Sequence, residues 1–242
     1  MGSHQPHWLE RTDVPLFVSQ RTLGPRKSLP RARGPWALDS GGFSELSLFG
    51  EWRTSPQQYV AAVRRYQSEI GNLEWAAIQD WMCEPWIIQK TGLSIVEHQQ
   101  RTIDSLLTLR SAAPEVPWTP VIQGFHGADY QRHMDAYMRA GVDLTREPLV
   151  GIGSVCRRKG TTEALDLFRL MSWMGLRLHG FGLSLRGLVK ACRFLASSDT
   201  LAWSYAARRR PPCMPGHTTY KNGANCLPYA LHWRTKLVGR LA

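Results

Sequence analysis

The chain has 242 residues, of which 43% are hydrophobic, so it is long enough to bury a sizeable core within one domain. Lys and Arg outnumber Asp and Glu by 30 to 19, and this formal charge of +11 favours a polyanionic partner such as nucleic acid. The sequence contains neither an apolar run of about 18 residues nor a signal-peptide pattern, which argues against a membrane span and predicts a cytosolic protein.

Strand and helix signals alternate along the chain. The first strand is predicted at residues 14–19, and a basic loop rich in Pro and Gly follows at 21–35. Further strands are predicted at residues 36–39, 73–80, 117–123, 149–155, 177–183 and 196–200. Helices are predicted at residues 55–70, 94–110, 128–140, 161–174 and 185–195, and a further one from residue 227.

Strands with continuous apolar runs, each followed by a helix, are typical of parallel βα units that are buried on both faces. The order therefore predicts an α/β protein, either a compact TIM-type (β/α)8 barrel or a doubly wound sheet, as a single domain over residues 1–242. Seven strands are predicted, one fewer than a closed barrel needs, so an eighth is expected near Trp8 and Leu9 or elsewhere. Residues 1–4 resemble an expression remnant and carry no prediction.

Small or polar groups occur at the C-terminal ends of six predicted strands. They are Asp39, Asp80, Gln123, residues 151–154, residues 180–182 and Asp199. A barrel would bring these ends to one mouth, whereas an open sheet would distribute them along an edge. An Asp after a strand is also a common helix N-cap, but six such ends together favour a barrel whose mouth suits the edge of a purine.

The stretch Asp39-Ser40-Gly41-Gly42-Phe43 follows the buried strand at 36–39. Its glycines let a flat ligand approach the backbone, Phe43 offers a stacking face and Asp39 offers a base. Taken alone, the same residues fit an ordinary turn equally well.

The same stretch resembles the signature of tRNA-guanine transglycosylases, and further motifs follow in that family's order. These are Asp80 with Cys83-Glu84-Pro85, then Val121-Ile122-Gln123-Gly124, then His179-Gly180-Phe181-Gly182, and finally a helix and Ser198-Asp199. The resemblance extends over residues 38–199. It implies a TIM-type barrel that exchanges guanine in a nucleic acid for a 7-deazapurine through a covalent glycosyl-enzyme intermediate.

By position, the resemblance implies that Asp199 is the nucleophile that attacks the anomeric carbon of the sugar. Asp39 would handle the proton of the leaving and incoming bases. This division of labour agrees with the chemistry, because displacing a purine requires one carboxylate at the sugar and an acid or base at the leaving group. The implied base-binding residues are Phe43, Asp80, Gln123, Gly151, Gly153 and His179, the last standing where the family has a Met.

The zinc site of the family, a compact three-cysteine cluster with a distant His, is missing from this sequence. The chain instead has Cys213, His217, Cys226 and His232, with three, eight and five residues between them. Two Cys and two His suit tetrahedral zinc, so a structural zinc site is predicted at about residues 211–233. The alternative is a loop rich in Pro and Gly with two unrelated thiols.

Two stretches, Gly153-Ser154-Val155-Cys156-Arg157-Arg158 and Asn225-Cys226-Leu227-Pro228-Tyr229-Ala230, resemble the phage and bacterial branch that inserts 7-deazaguanines into DNA. They imply a DNA substrate and a free base such as 7-cyano-7-deazaguanine, in the cytoplasm of the host if a phage encodes the protein. The same chemistry on tRNA, or a non-catalytic nucleic-acid-binding barrel, stays an alternative, and the sequence leaves the oligomeric state open.

The basic loop at 21–35 is expected to hold the DNA backbone while a base is flipped out. Guanidinium groups suit phosphates, so the residues predicted to contact the DNA backbone also include Arg157, Arg158, Arg208 and Arg209.

Overall fold

The computed structural model describes residues 1–155, 162–208 and 223–241, which form an α/β fold with parallel strands. The strands are β1 Gly2–Ser3, β2 Leu16–Ser19, β3 Trp36–Asp39, β4 Leu73–Ala77, β5 Trp118–Thr119, β6 Val121–Ile122, β7 Val150–Ile152, β8 Leu178–Gly180 and β9 Ser197–Ser198. The α-helices are α1 Gln20–Leu23, α2 Gly42–Phe49, α3 Pro56–Glu69, α4 Pro85–Thr91, α5 Ile95–Ala112, α6 Gly127–Arg139, α7 Thr162–Trp173, α8 Leu185–Ala191, α9 Ala202–Ala207 and α10 Leu227–Leu241.

The strands form two sheets in which neighbours in space are also neighbours in sequence. One sheet has the order β1-β2-β3-β4-β5 and the other the order β6-β7-β8-β9, and every pairing is parallel. Pro120 lies between β5 and β6 and divides what the sequence predicts as one strand at 117–123. The residues before Pro120 pair with β4 and those after it pair with β7, and Pro120 itself accepts a hydrogen bond from the Gly151 N–H but has no N–H to donate.

The predicted elements are found within a few residues of their expected bounds, and β3 has the bounds expected of it. Helices α3 and α5 begin where the sequence places them, because Ser55 and Ser94 each form a capping box with the residue three positions later. Four helices were not predicted, α1, α2, α4 and α9, which have four, eight, seven and six residues. They are too short to show a clear helical period of apolar residues.

The N-terminal strand does not lie where the sequence suggested. Trp8 and Leu9 are buried in a 3-10 helix at Pro6–Glu10, whereas the strand is β1, in residues that carried no prediction. Gly2 and Ser3 pair with Phe17 and Val18 of β2. A two-residue strand defined by backbone pairing has no apolar alternation for sequence analysis to detect.

Buried tyrosines connect helices α3 and α6 to the strands. The hydroxyl of Tyr59 on α3 donates to the carbonyl oxygen of Ala77, at 2.8 Å, and that of Tyr130 on α6 donates to the carbonyl oxygen of Gly153, at 2.7 Å. Tyr137 on α6 likewise donates to Val121, at 2.9 Å. Each bond satisfies the one polar atom of a large buried ring, so these helices are fixed against the strand ends that carry the site.

Among the residues described, no helix is both long enough and apolar enough to span a lipid bilayer.

Candidate active site

A cavity of about 370 Å³ opens at the C-terminal ends of the strands. It brings together most of the residues that the sequence selected, because parallel strands direct their C-terminal ends to the same side of a fold. The sequence-predicted residues that line it are Asp39, Phe43, Asp80, Gln123, Gly153 and Asp199.

The cavity contains an unusual concentration of negative charge. Asp39, Asp80, Glu84 and Asp199 all line it, and the described residues of its wall include no Lys, Arg or His. Ionising an enclosed carboxyl group costs more free energy when no cation is nearby. The protonation of each of these groups therefore depends on the charge of the others and on a bound ligand. The cavity therefore suits a ligand rich in hydrogen-bond donors.

Asp39 ends β3 and is held by the turn that follows it. The backbone N–H of Gly41 donates to Asp39 Oδ1 at 3.1 Å, and Gly41 adopts a positive φ of 82°, which a residue with a Cβ rarely adopts. Burial raises the pKa of the Asp39 carboxyl, and the nearby charge of Asp199 raises it further. A raised pKa favours the protonated carboxyl group, which is the form that can deliver a proton to a leaving group.

Asp80, Gln123, Ser154 and Glu84 form one hydrogen-bonded network on another wall. The amide of Gln123 donates from Nε2 to Asp80 Oδ2, and the Ser154 hydroxyl lies 2.8 Å from Gln123 Oε1 and 2.9 Å from Glu84 Oε2. Gln123 packs against Gly153, where a Cβ would lie 2.1 Å from Gln123 Nε2. Glycine is therefore required at 153 for this amide to reach Asp80.

The network also affects the protonation of Asp80. Burial raises the pKa of this carboxyl to about 7, the charges of Asp39 and Glu84 add to the increase, and the hydrogen bond from Gln123 partly offsets it. Asp80 thus gains a proton close to neutral pH. Its two oxygens and the Gln123 amide offer both acceptors and donors to the edge of a planar base.

Asp199 follows β9, is buried, and also lines the cavity. The backbone N–H of Gly182 donates to Asp199 Oδ1 at 2.7 Å, and the N–H of Leu183 donates to the Asp199 carbonyl oxygen at 3.2 Å. The loop after β8 therefore holds both the side chain and the backbone of this residue. Of the cavity's carboxylates, Asp199 is the one that lies farthest along the sequence.

Two residues implied to bind the base do not line the cavity. His179 is buried against Phe181, with ring centroids 4.9 Å apart, and it is Phe181 that lines the wall. A Cβ on Gly151 would lie 2.5 Å from the Phe181 ring, so Gly151 makes room for this ring and does not itself face the ligand. The aromatic wall thus consists of Phe17, Phe43 and Phe181.

The wall residues that received no role from the sequence include Phe17, Glu84, Ser154 and Phe181. Glu84 and Phe181 lie within the motifs that carried the resemblance, so their proximity to Asp80 and His179 was the available signal. Ser154 adopts a positive φ of 55° and contacts residues 31 and 70 positions away, which sequence spacing does not reveal.

Only part of the predicted basic surface lies in the described residues. Arg208 is exposed at the end of α9, whereas Arg157, Arg158 and Arg209 fall outside the described residues. Within the 21–35 loop, Arg31 donates to the carbonyl oxygen of Ser68 at 3.1 Å, and so anchors the loop on α3.

The predicted zinc ligands also lie partly outside the described residues, which exclude Cys213 and His217. Cys226 is buried immediately before α10, and His232 lies on that helix. Within residues 1–155, 162–208 and 223–241, no three or more His, Cys, Asp or Glu side chains group in a way that would hold a metal ion.

A family model described as "DpdA: DeoxyPurine in DNA protein A" matches residues 1–241, nearly the whole chain. No curated protein matches the sequence.

Proposed function

The chain belongs to the DpdA family of DNA-guanine transglycosylases, and we propose that it exchanges guanine in DNA for a 7-deazaguanine such as 7-cyano-7-deazaguanine. Family membership makes it a transglycosylase of DNA modification. The observation that supports the finer proposal is that Asp39 and Asp199 line one cavity with Asp80 and Gln123. This arrangement supplies a nucleophile, an acid and base, and a base-binding edge.

In the first step, a carboxylate oxygen of Asp199 attacks C1′ of the target deoxyguanosine. The C1′–N9 bond breaks, its electron pair leaves with guanine, and Asp39 donates a proton to that base. The raised pKa of Asp39 suits it to arrive at this step protonated. The product is an ester between Asp199 and the sugar.

In the second step, the incoming 7-deazaguanine loses its N9 proton to Asp39 and attacks C1′. The bond between C1′ and the Asp199 oxygen breaks, and the carboxylate leaves with the electron pair. Asp39 is then protonated again, as it was at the start. Two displacements at C1′ return the base to the original face of the sugar.

We assign recognition of the base to Asp80, Gln123 and the backbone at Gly153, with Phe43 and Phe181 on its faces. Guanine and its 7-deaza analogues present N–H donors at N1 and N2, which match the oxygens of Asp80. The second N–H of the Gln123 amide is available to the O6 acceptor, because the first is held by Asp80. Because all these contacts are made at the six-membered ring, both the leaving and the incoming base satisfy them.

A structural zinc ion remains part of the proposal. Cys226 is a buried thiol at the start of α10, five residues separate it from His232, and a set of two Cys and two His suits zinc. With Cys213 and His217 these residues would hold the C-terminal segment, and no step of the exchange passes through the metal. Metal analysis of purified protein should find about one zinc per chain, reduced in Cys226→Ser. Wild-type protein without zinc would refute the assignment.

We also propose that the strands close into one (β/α)8 barrel within a single domain. If β5 and β6 count as one strand interrupted at Pro120, eight strands follow in sequence order. The two outer strands are close, since a Cβ on Gly2 would lie 3.0 Å from the carbonyl oxygen of Thr200. An experimental structure with β1 and β9 apart would contradict closure.

The test of function is mass spectrometry of nucleosides after incubation with a candidate 7-deazaguanine. DNA and tRNA are incubated separately with wild-type protein and with Asp199→Asn. We expect the modified deoxynucleoside in DNA with wild-type protein only. A modified nucleoside in tRNA alone would identify the RNA reaction, and no product in either nucleic acid would favour a non-catalytic binding protein.

A further inference from the structure

The feature that the reaction leaves unexplained is the buried imidazole of His179, which is only 3% exposed. Three aromatic rings surround it: Trp75 at 4.7 Å, Phe181 at 4.9 Å and Phe17 at 5.4 Å between centroids. A ring packed on three sides has one orientation. The polar atoms of His179 therefore point in fixed directions.

Those directions lead to Ser197 and Asp199. His179 Nδ1 lies 2.8 Å from the Ser197 hydroxyl, and Nε2 lies 3.5 Å from Asp199 Oδ1. Within the described part of the chain, Nε2 has no hydrogen-bond partner. A carboxylate oxygen accepts hydrogen bonds, so the tautomer that fits places the proton on Nε2 and lets Ser197 donate to Nδ1.

Asp199 Oδ1 is thus approached by two donors, the Gly182 N–H at 2.7 Å and the His179 Nε2–H. We propose that His179 is a positioning residue for Asp199, which rests on the proposed role of Asp199 as nucleophile. Holding Oδ1 from two sides leaves Oδ2 as the oxygen that attacks the sugar. Catalytic hydrogen bonds are often long without substrate and shorten in the complex, so the 3.5 Å contact closes when DNA binds.

The same contact serves both halves of the exchange. When the Oδ2–C1′ bond forms and the C1′–N9 bond breaks, Oδ1 becomes the carbonyl oxygen of the ester and still accepts both hydrogen bonds. When the incoming base displaces Asp199, the two N–H groups stabilise the carboxylate that leaves. His179 transfers no proton in either step, so a neutral imidazole suffices throughout.

The test compares His179→Met with His179→Gln in single-turnover formation of the covalent adduct with DNA. Gln keeps an N–H donor near the position of Nε2, whereas Met fills a similar volume without one. His179→Met should slow adduct formation roughly 10- to 100-fold, the range expected when a hydrogen bond to a charged group is lost. The Kd for DNA should be unchanged, and His179→Gln should retain most of the rate.

An unchanged rate in His179→Met, or equal losses in both variants, would overturn the inference. Wild-type protein that forms no adduct would overturn the proposed function and, with it, this inference. The two failures are therefore distinguishable.

A second comparison avoids the buried ring in case its replacement impairs folding. Ser197 is exposed, so Ser197→Ala should fold normally, and loss of the hydroxyl that fixes the His179 tautomer should slow adduct formation severalfold. The matched control is Ser198→Ala on the same strand, because the Ser198 hydroxyl bonds only backbone carbonyl oxygens, those of Gly180 at 2.6 Å and Asp199 at 3.1 Å, and contacts neither His179 nor the Asp199 carboxylate. The control should change the rate less than about twofold. Equal rates for Ser197→Ala and wild type would contradict the assigned tautomer and the inference.

Discussion

The two ends of the parallel strands carry cavities of opposite character. The cavity at the N-terminal ends is the larger, at about 840 Å³ against about 370 Å³ for the one at the C-terminal ends. Its charged residues are of both signs, Glu74, Arg110, Glu147 and Arg177. Arg110 and Glu147 form a two-pronged ion pair, with N–O distances of 2.8 and 2.7 Å.

The smaller cavity instead has four carboxylates and no cation among its described wall residues. Paired charges satisfy each other and stabilise the fold, whereas unpaired charges stay available to a ligand. Uncompensated charge, rather than volume, therefore distinguishes the end at which we propose the exchange reaction. Replacing residues at each end tests this distinction.

The largest expected effect is that of Asp199→Asn at the C-terminal end. This change removes the charge of the proposed nucleophile and keeps its shape, so exchange should fall by roughly 10³-fold or more while DNA binding persists. The measurement is a denaturing gel of protein incubated with DNA. Asp39→Asn should also stop turnover but spare the nucleophile, so it tests whether an adduct can be trapped. An adduct that survives in Asp199→Asn would show that another residue is the nucleophile.

An intermediate effect is expected for Asp80→Asn, which mimics the protonated carboxyl. Exchange should fall about 10- to 100-fold because the incoming base loses a charged partner. The free energy of unfolding of the variant should rise, whereas its exchange activity falls. The pKa of Asp80 is raised to about 7 in the folded protein from an ordinary value of 3.8, so its contribution to stability is full below about pH 4 and is lost as the pH rises through 7.

Urea unfolding of wild type and Asp80→Asn at pH 5 and pH 8 measures the contribution of Asp80 to the free energy of unfolding. The variant should be more stable than wild type at pH 8, by on the order of a few kcal/mol, and the difference should shrink at pH 5. A difference that does not depend on pH would mean that burial does not hold Asp80 protonated.

The smallest effect on activity is expected for Arg110→Met at the N-terminal end. Glu147 would lose its bidentate partner, which should lower the free energy of unfolding by about 1–3 kcal/mol while exchange changes less than about twofold. Adding Glu147→Leu should recover much of the stability, because the carboxylate is then no longer unpaired. Thermal unfolding and exchange rates measured on the same samples decide the outcome. A large loss of exchange in a folded Arg110→Met would abolish the functional contrast between the two ends.

The sequence reveals the fold and site best where a property follows from chain direction. Asp39, Asp80, Gln123 and Asp199 could be grouped in advance because the C-terminal ends of parallel strands share one side of the fold. The positions of His179 and Phe181 could not be predicted in this way. Both belong to one short stretch, and their exposure depends on the space left by Gly151 and on packing against Phe17 and Trp75.

The N-terminal strand shows a second limit of sequence analysis. Gly2 and Ser3 join the sheet through backbone pairing with β2 and carry no side-chain pattern, so composition gave no reason to place a strand there. The predicted basic and zinc-binding residues at 157, 158, 209, 213 and 217 lie outside the described residues, and their roles stay predictions.

The distribution of charge in the site also separates the two substrates by their response to ionic strength. DNA is attracted by the net positive charge of the chain, so its affinity must fall steeply as salt increases and counterion release is lost. The free base that we propose as the second substrate would bind in a cavity whose described wall has no cation, through short hydrogen bonds that salt screens little. We therefore expect that increasing the salt concentration raises the KM for DNA and leaves the KM for the base nearly constant.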